Sequence, residues 1–129
     1  QGGHDKMSRI VKSSHIAAEI DPRGLKSGDP GAKFDAGKVR PSLILNAMPL
    51  AILAVSEVGT YGANKYSENG WKDVDNGIAR YTDAMDRHRI KEGLEVFDEG
   101  SNLRHAAQVA WNALARLELM LRDCESHTI

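Results

Sequence analysis

Acidic residues in the middle of the chain are the first candidates for chemistry. Asp83 and Asp86 are three positions apart, which places both carboxylates on one side of a helix. Their charges repel unless Arg87 or a divalent metal ion neutralises them, and alone the pair is typical of a solvated charged face. Glu57 projects from the margin of a predicted apolar helix face. A carboxylate there is costly unless it is paired, binds a cation or extends its head into water.

A second acidic group clusters around a predicted turn, at Glu92, Glu95, Asp98 and Glu99. Acidic turns are common, so this cluster indicates little by itself. Together with Glu57 and Asp83, however, it gives a helical bundle several carboxylates on neighbouring elements. Hard oxygen ligands of this kind favour Mg²⁺ or Mn²⁺ over zinc.

Polar and basic residues complete the candidate set. His105, Gln108 and Asn112 form a row beside the apolar residues of the last predicted helix, and such a row must be hydrogen-bonded, either between helices or to a ligand. Basic side chains on a loop above a carboxylate-bound metal are what a polyphosphate requires, although any one of them is also ordinary for a surface. These are Lys33, Lys38, Arg40 and Lys65.

The elements that must position these residues are predicted to be helical from Pro41 onwards. Pro41 is expected to open a short helix over residues 42–48, and Pro49 suits the first position of the next helix. Spacings of three and four residues predict inner faces for that helix and for the two that follow. These faces are Leu50, Leu53, Ala54, Val58 and Tyr61; Ile78, Tyr81, Met85 and His88; and Leu103, Ala106, Ala110, Leu114, Leu117 and Leu121.

Between these helices the sequence predicts a loop over residues 66–77 and a turn over residues 97–101. Asp75 or Asn76 is the expected N-cap of the helix that follows this loop. Ser101 is the expected N-cap of the last helix. With 5% aromatic residues and few β-branched runs, strands are not expected. The predicted fold is all-α, a bundle of about four helices preceded by an irregular arm rich in glycine and proline.

Composition limits the class of protein. The 129 residues are 41% hydrophobic and 27% charged, with a net charge of −1, so a nucleic acid or an anionic membrane is not an expected partner. The longest apolar run is about half the length of a membrane-spanning helix, and no signal peptide is recognised. The single cysteine, Cys124, excludes an internal disulfide framework and suits the cytoplasm.

The expected organisation has four parts. Residues 1–6 are expected to be the remnant of an expression tag, because Met7 is a plausible native start. Residues 7–40 form the N-terminal segment and irregular arm, with a short helix or strand over residues 8–20. Residues 41–123 form the helical catalytic bundle, and residues 124–129 a tail.

Four ordered motifs resemble a known family. The segments are, in chain order, KFDAGKVR (residues 33–40), YGANKYSENGW (61–71), DAMDRH (83–88) and EGSNLRHAAQVAWN (99–112). In the same order, they resemble the motifs KFDxGKxR, YGAxKYxxxNW, DAxxRH and ESGxxHLxHAxxN of the phage and bacterial dATP/dGTP diphosphohydrolase family. That family is similar to the MazG-like all-α nucleotide pyrophosphohydrolases. Gln108 departs from the pattern by replacing a histidine, while Leu94 and Phe97 replace acids.

The resemblance implies a metal-dependent enzyme that converts a nucleoside triphosphate, dGTP or dATP, to the monophosphate and pyrophosphate. Some relatives serve phage pathways that place 2-aminoadenine in DNA, which makes dGTP a natural substrate. The implied cofactor is Mg²⁺ or Mn²⁺, which would stabilise charge on the leaving pyrophosphate and acidify the attacking water. The expected metal ligands are Glu57, Asp83, Glu95 and Glu99, followed by Asp86 and His105.

Other expected roles complete the predicted site. Glu99 or Glu57 is the expected general base. Asn69 and Trp71 would bind the base and sugar, although Trp71 could equally cover the edge of the core. The expected phosphate-binding residues are Lys33, Lys38, Arg40, Lys65 and Arg87, and the expected supporting residues are His88, His105 and Asn112.

Two further expectations concern assembly and the alternative class. The last helix is apolar over more than one strip, which predicts a homodimer or a tetramer of dimers, as the resemblance also implies. The alternative is a non-catalytic helical interaction module whose charged clusters are solvated faces. A His-Asp phosphohydrolase is set aside because the adjacent pair occurs at His4 and Asp5, within the expected tag.

Overall fold

The computed structural model describes the backbone of residues 19–126 and the side chains of residues 19–123. Over this range the fold is all-α, as predicted, and its extended pairing is limited to one antiparallel bridge between Phe97 and Arg104. In the part that is described, no helix combines the length and apolarity needed to cross a membrane. The helices are α1 (Ser42–Leu45), α2 (Pro49–Lys65), α3 (Gly77–Lys91) and α4 (His105–Ser126), with a short 3₁₀ helix at Gly70–Asp73.

The described chain divides into two compact units, residues 19–43 and residues 44–126. In the first unit, hydrogen bonds to the buried Asp21 replace regular structure: its carboxylate accepts the backbone N–H groups of Arg23 and Lys33, both at 2.7 Å. The Lys33 bond, more than any other contact, lowers the pKa of Asp21. This is the predicted irregular arm. The expected tag, almost all of the predicted segment over residues 8–20 and the last three residues lie outside the described range.

Helix boundaries follow local sequence in part. α2 begins at Pro49, as predicted. Asn76 precedes α3 in a left-handed conformation (φ 55°) but makes no side-chain cap, so the predicted side-chain capping is wrong there. α4 begins at His105, later than a cap at Ser101 would require, because the Ser101 hydroxyl is engaged within the preceding turn.

An aromatic cluster joins the helices of the second unit. Trp111 on α4 makes edge-to-face contacts with Tyr81 on α3 and with Trp71 in the 3₁₀ helix, at centroid distances of 5.7 Å and 6.0 Å. The Tyr81 hydroxyl donates a 2.6 Å hydrogen bond to the carbonyl of Trp71. These contacts fix which face of α4 points inwards.

The buried face of α4 differs from the prediction. Its most buried residues are His105, Ala107, Asn112 and Ala115, whereas Leu114 and Leu117 are 56% and 49% exposed. On α2, Leu50 and Leu53 are also exposed. The predicted burial of these four leucines is therefore wrong for the single chain. The interior is occupied instead by the polar residues His105 and Asn112 of α4 and by the aromatic cluster around Trp111.

Two glycines of α2 provide a matched test of this packing. A Cβ atom at Gly62 would meet nothing within 4 Å, whereas one at Gly59 would lie 3.3 Å from the Trp111 indole nitrogen. Since alanine favours a helix, we expect Gly62→Ala to raise the free energy of unfolding by about 0.5–1 kcal/mol. Gly59→Ala should be less stable than Gly62→Ala by about 1 kcal/mol, because Trp111 is held by two aromatic neighbours. Urea denaturation of both variants measures the difference, and equal stabilities would contradict this packing.

Candidate active site

The segment between α3 and α4 is a closed turn. The Phe97–Arg104 bridge brings its ends together. Within it, the Asp98 N–H donates to the Leu103 carbonyl at 2.8 Å, and the Asn102 N–H donates to the Asp98 carbonyl at 2.7 Å. Asn102 has a φ of 61°, a left-handed conformation that asparagine tolerates better than most residues. The turn therefore has a defined shape that can hold side chains in place.

Asp98 and Ser101 form the hydrogen-bonded centre of this turn. One carboxylate oxygen of Asp98 accepts the Ser101 hydroxyl at 2.7 Å and the Ser101 backbone N–H at 3.1 Å. The Ser101 hydroxyl oxygen in turn accepts the Leu103 N–H and the Gln108 side-chain amide, both at 3.2 Å. Gln108 thus ties the first turns of α4 to the loop.

A chain of three side chains runs beside this centre. His105 is completely buried, and its Nε2 lies 3.0 Å from Oε1 of Glu95. Its other ring nitrogen, Nδ1, lies 2.8 Å from Nδ1 of His88 on α3. Both nitrogens of a buried ring are therefore satisfied, one by the loop and one by the neighbouring helix.

Asp98 connects this chain electrostatically to a lysine. Burial, followed by the proximity of His105, lowers the pKa of His88, while the Asp98 carboxylate opposes that shift. The Tyr66 hydroxyl is the main cause that raises the pKa of Lys65, and Asp98 adds a smaller contribution in the same direction. The Asp98 carboxylate thus contributes to the pKa shifts of both His88 and Lys65.

Some of the predicted site residues come together and others do not. Glu95, His88 and His105 are in contact, whereas the Lys65 ammonium lies 5.9 Å and 5.2 Å from the ring centroids of Tyr61 and Tyr66. Glu57 is exposed and lines a cavity of about 80 Å³ between α2, the turn and α4, with Arg104 among the other lining residues.

The remaining predicted carboxylates are Asp83, Asp86 and Glu99. Asp83 and Glu99 are exposed, and Asp86 pairs with Arg89 at 3.6 Å rather than with Arg87. Over residues 19–123, no group of three or more histidine, cysteine, aspartate or glutamate side chains is arranged to hold a metal ion.

The expected phosphate-binding residues Lys33, Lys38 and Arg40 belong to the first unit. There the backbone of Lys33 binds Asp21, and the Lys38 ammonium lies 3.8 Å from Glu19. Arg87 is on α3 and is exposed.

The residues expected to bind the base lie near a second depression. Trp71 lines a groove of about 410 Å³ together with Trp111 and the exposed leucines of α4, and Arg122 lies 5.6 Å above its ring. Asn69 precedes the 3₁₀ helix with a left-handed φ of 59°. Asn112 is buried and donates to the Gln108 carbonyl at 2.8 Å within its own helix, a structural contact.

Asp98 and Ser101 are the residues whose part in the site sequence reasoning did not identify. The available signal was local: an aspartate three positions before a serine, with a glycine between them, is typical of a turn in which the aspartate accepts the later N–H. Arg104, whose guanidinium lies 5.0 Å above the Phe97 ring, carries no comparable signal.

The Ser101 hydroxyl predicts a pH-dependent contribution to stability. Its hydrogen bond is the main cause that lowers the pKa of Asp98 below its usual value of 3.8. A lowered pKa in the folded state stabilises the fold above the usual value, and this stabilisation is lost as pH falls through the lowered pKa. We expect Ser101→Ala to reduce the free energy of unfolding at pH 7 by about 1 kcal/mol, with a difference that shrinks as the pH falls below 3.8. Denaturation over a series of acidic pH values measures this, and a difference that grows in acid would contradict it.

Comparison with known proteins bears on what this site does. Residues 28–128 match the family model described as dATP/dGTP diphosphohydrolase, N-terminal. No curated protein and no solved structure matches the chain. The matched range includes the turn, the histidine pair and all four helices, and it covers most of the sequence. The chain therefore belongs to the dATP/dGTP diphosphohydrolase N-terminal family.

Proposed function

We propose that this protein hydrolyses a purine deoxynucleoside triphosphate, dGTP in preference to dATP, to the monophosphate and pyrophosphate in the cytoplasm. The observation that carries the proposal is the family match over residues 28–128, which includes the hydrogen-bonded residues around His105 and Asp98. In the reaction, a water oxygen bonds to the α-phosphorus while the bond from that phosphorus to the bridging oxygen breaks. The water proton passes to a base, and pyrophosphate leaves.

The chain supplies groups for each part of this reaction. Lys65, in the last turn of α2, is a proposed phosphate ligand. Glu57, in the cavity beside Arg104, and Glu99, on the exposed side of the turn, are the proposed bases. Arg87 and the cations of the first unit remain proposed phosphate ligands.

We also propose that the reaction requires Mg²⁺ or Mn²⁺, which when bound would offset the negative charge of the phosphates. Mg²⁺ is commonly held by one or two carboxylates together with substrate phosphates and water, rather than by a cage of protein ligands. Separate carboxylates such as Glu57, Asp83 and Glu99 fit this mode better than an all-protein site, consistent with the absence of a three-residue metal group over residues 19–123.

A homo-oligomer is the proposed functional form. The large hydrophobic side chains exposed over the described residues include Leu50 and Leu53 on α2 and Leu114 and Leu117 on α4. Over the described residues, the buried hydrophobic side chains are those of two alanines, Ala107 and Ala115. A small core of this kind gains stability when apolar faces are covered by a second copy.

Substrate profiling tests the proposal. The protein is incubated with each of the eight common nucleoside triphosphates, with Mn²⁺ or with a chelator, and loss of triphosphate is followed. We expect turnover of dGTP and dATP that requires Mn²⁺, together with a rise in melting temperature with Mn²⁺ and nucleotide. An interaction module would show neither, and such a result would reject the proposed function.

A further inference from the structure

An ammonium group and two aromatic rings come together at the carboxyl end of α2. Tyr61 and Lys65 are four positions apart, so they lie on the same side of that helix. Tyr66 follows directly, and its backbone N–H donates to the Gly62 carbonyl at 2.9 Å. The Lys65 ammonium lies 5.9 Å from the Tyr61 ring centroid and 5.2 Å from the Tyr66 ring centroid, within the range of cation–π contacts. The end of α2 therefore holds one cation beside two rings.

The ring of Tyr66 remains open to another molecule. Tyr66 is 77% exposed, more than any other tyrosine, tryptophan or phenylalanine that the structure describes, and Tyr61 is 38% exposed. The contact with Lys65 thus leaves most of the Tyr66 side chain accessible. An accessible aromatic ring can stack on a flat ligand, and every nucleobase offers a π face for this purpose.

The two kinds of group select a ligand that carries both complementary groups. An ammonium donates hydrogen bonds to anionic oxygens such as those of a phosphate. A tyrosine ring offers a face on which another flat ring stacks. A nucleotide carries a phosphate and a flat base with only a sugar between them. Because the ring centroids lie within 6 Å of the ammonium, one nucleotide can contact both groups.

The tryptophan that was expected to bind the base is engaged inside the chain. Trp71 packs edge-to-face against Trp111 at a centroid distance of 6.0 Å, and the Arg122 guanidinium lies 5.6 Å above its ring. Trp71 is also partly buried, whereas Tyr66 is exposed. These contacts fit the alternative role of Trp71, which is to cover the edge of the core.

We propose that the purine base of the substrate stacks on the ring of Tyr66, beside Tyr61, while Lys65 binds a phosphate of the same nucleotide. This inference rests on the proposed function for the ligand and for the role of Lys65. It moves the base from Trp71 to the end of α2. Stacking on a ring does not depend on the groups at the edge of the base, so this site accepts dGTP and dATP alike.

Isothermal titration calorimetry with two probes, in the presence of Mg²⁺, tests the stack. The first probe is a dGTP analogue in which a methylene group replaces the oxygen between the α- and β-phosphates, so the proposed bond is not cleaved. The second is inorganic tripolyphosphate, which carries the charge but no base. We expect Tyr66→Ala to weaken binding of the analogue at least about fivefold, the effect of losing one base–aromatic stack, and to leave tripolyphosphate binding unchanged.

Tyr66→Phe is the matched control, because it keeps the ring and removes only the hydroxyl group. It should bind both probes as the unmodified protein does. Unchanged binding of the analogue to Tyr66→Ala would overturn the stack. Equal losses for both probes would also overturn it, because the ring would then act only by holding Lys65. An equally weakened Tyr66→Phe would identify the hydroxyl group, and not the ring, as the important contact.

Two further measurements test other uses of the exposed ring. Light scattering of Tyr66→Ala should give the mass of the unmodified protein, and a smaller mass would identify Tyr66 as a subunit contact instead. The unmodified protein should bind the analogue more tightly than a single-stranded oligonucleotide. The reverse order would overturn the proposal, because the rings and the lysine would then belong to a nucleic-acid surface.

The outcomes separate this inference from the proposed function. If dGTP is hydrolysed but Tyr66→Ala binds the analogue normally, the proposed function stands and the base site fails. If the analogue and tripolyphosphate behave as expected but dGTP is not hydrolysed, the base site stands and the proposed function fails.

Discussion

Replacing Glu57 by glutamine is expected to lower kcat at least about a hundredfold while leaving the fold intact. Glu57 lines the small cavity between α2 and the α3–α4 turn, where Arg104 is also a lining residue. Glutamine keeps the size and hydrogen-bonding capacity of the side chain but removes the charge that a metal ion or a water proton requires. Because a negative charge beside an apolar helix face carries a desolvation cost, the stability without metal should be unchanged or slightly higher.

The measurement is steady-state turnover of dGTP at saturating Mn²⁺, together with urea denaturation in the absence of metal. Glu92→Gln is the control, since Glu92 is exposed and lies outside the cavity. Near-normal turnover of Glu57→Gln would show that Glu57 is an edge residue whose stem packs while its head is solvated.

Replacing Leu117 by aspartate is expected to dissociate the oligomer and abolish activity. Leu117 is 49% exposed in the single chain and lines the groove next to Trp111, so a charge there leaves the interior of the chain undisturbed. The same charge would be buried if a second copy covered the leucine face of α4, and an unpaired buried charge is strongly unfavourable. The loss of activity would follow if the site is completed across the interface.

Light scattering and dGTP turnover of the same samples measure both effects. Leu117→Met is the matched control, because it keeps an apolar side chain of similar volume and should preserve assembly and activity. A fully active 14.1 kDa species of the unmodified protein at low concentration would contradict the proposed assembly.

Prolines and helical spacing were sufficient to predict the helices but not the orientation of α4. Pro49 predicts one helix start, and α2 begins there. The apolar spacing that includes Tyr81 and His88 predicts one inner face for α3, and both residues are partly buried there. α4 carries apolar residues around more than one face, so a spacing of three and four residues is compatible with several orientations. The contacts of Trp111 with Tyr81 and Trp71 decide between them, and they join residues far apart in sequence.

The candidate site divides in the same way. The requirement that a polar row beside the core be hydrogen-bonded predicted partners for His105, and the structure supplies Glu95 and His88. The distance between Glu57 and Asp83 could not be predicted from sequence spacing. Spacing shows on which face of its own helix a residue lies, but it does not show how one helix is oriented relative to another. Asp98 owes its importance to its hydrogen bonds with Ser101 and to its electrostatic effect on His88, and that effect exists only in the folded chain.

Identification of the products formed from dGTP tests the central claim most directly. The unmodified protein is incubated with dGTP and Mn²⁺, and the products are separated by ion exchange and quantified during the initial phase of the reaction. We predict dGMP and pyrophosphate in equal amounts, because attack on the α-phosphorus releases the outer two phosphates together. The appearance of dGDP with orthophosphate, or of deoxyguanosine with triphosphate, would contradict the account.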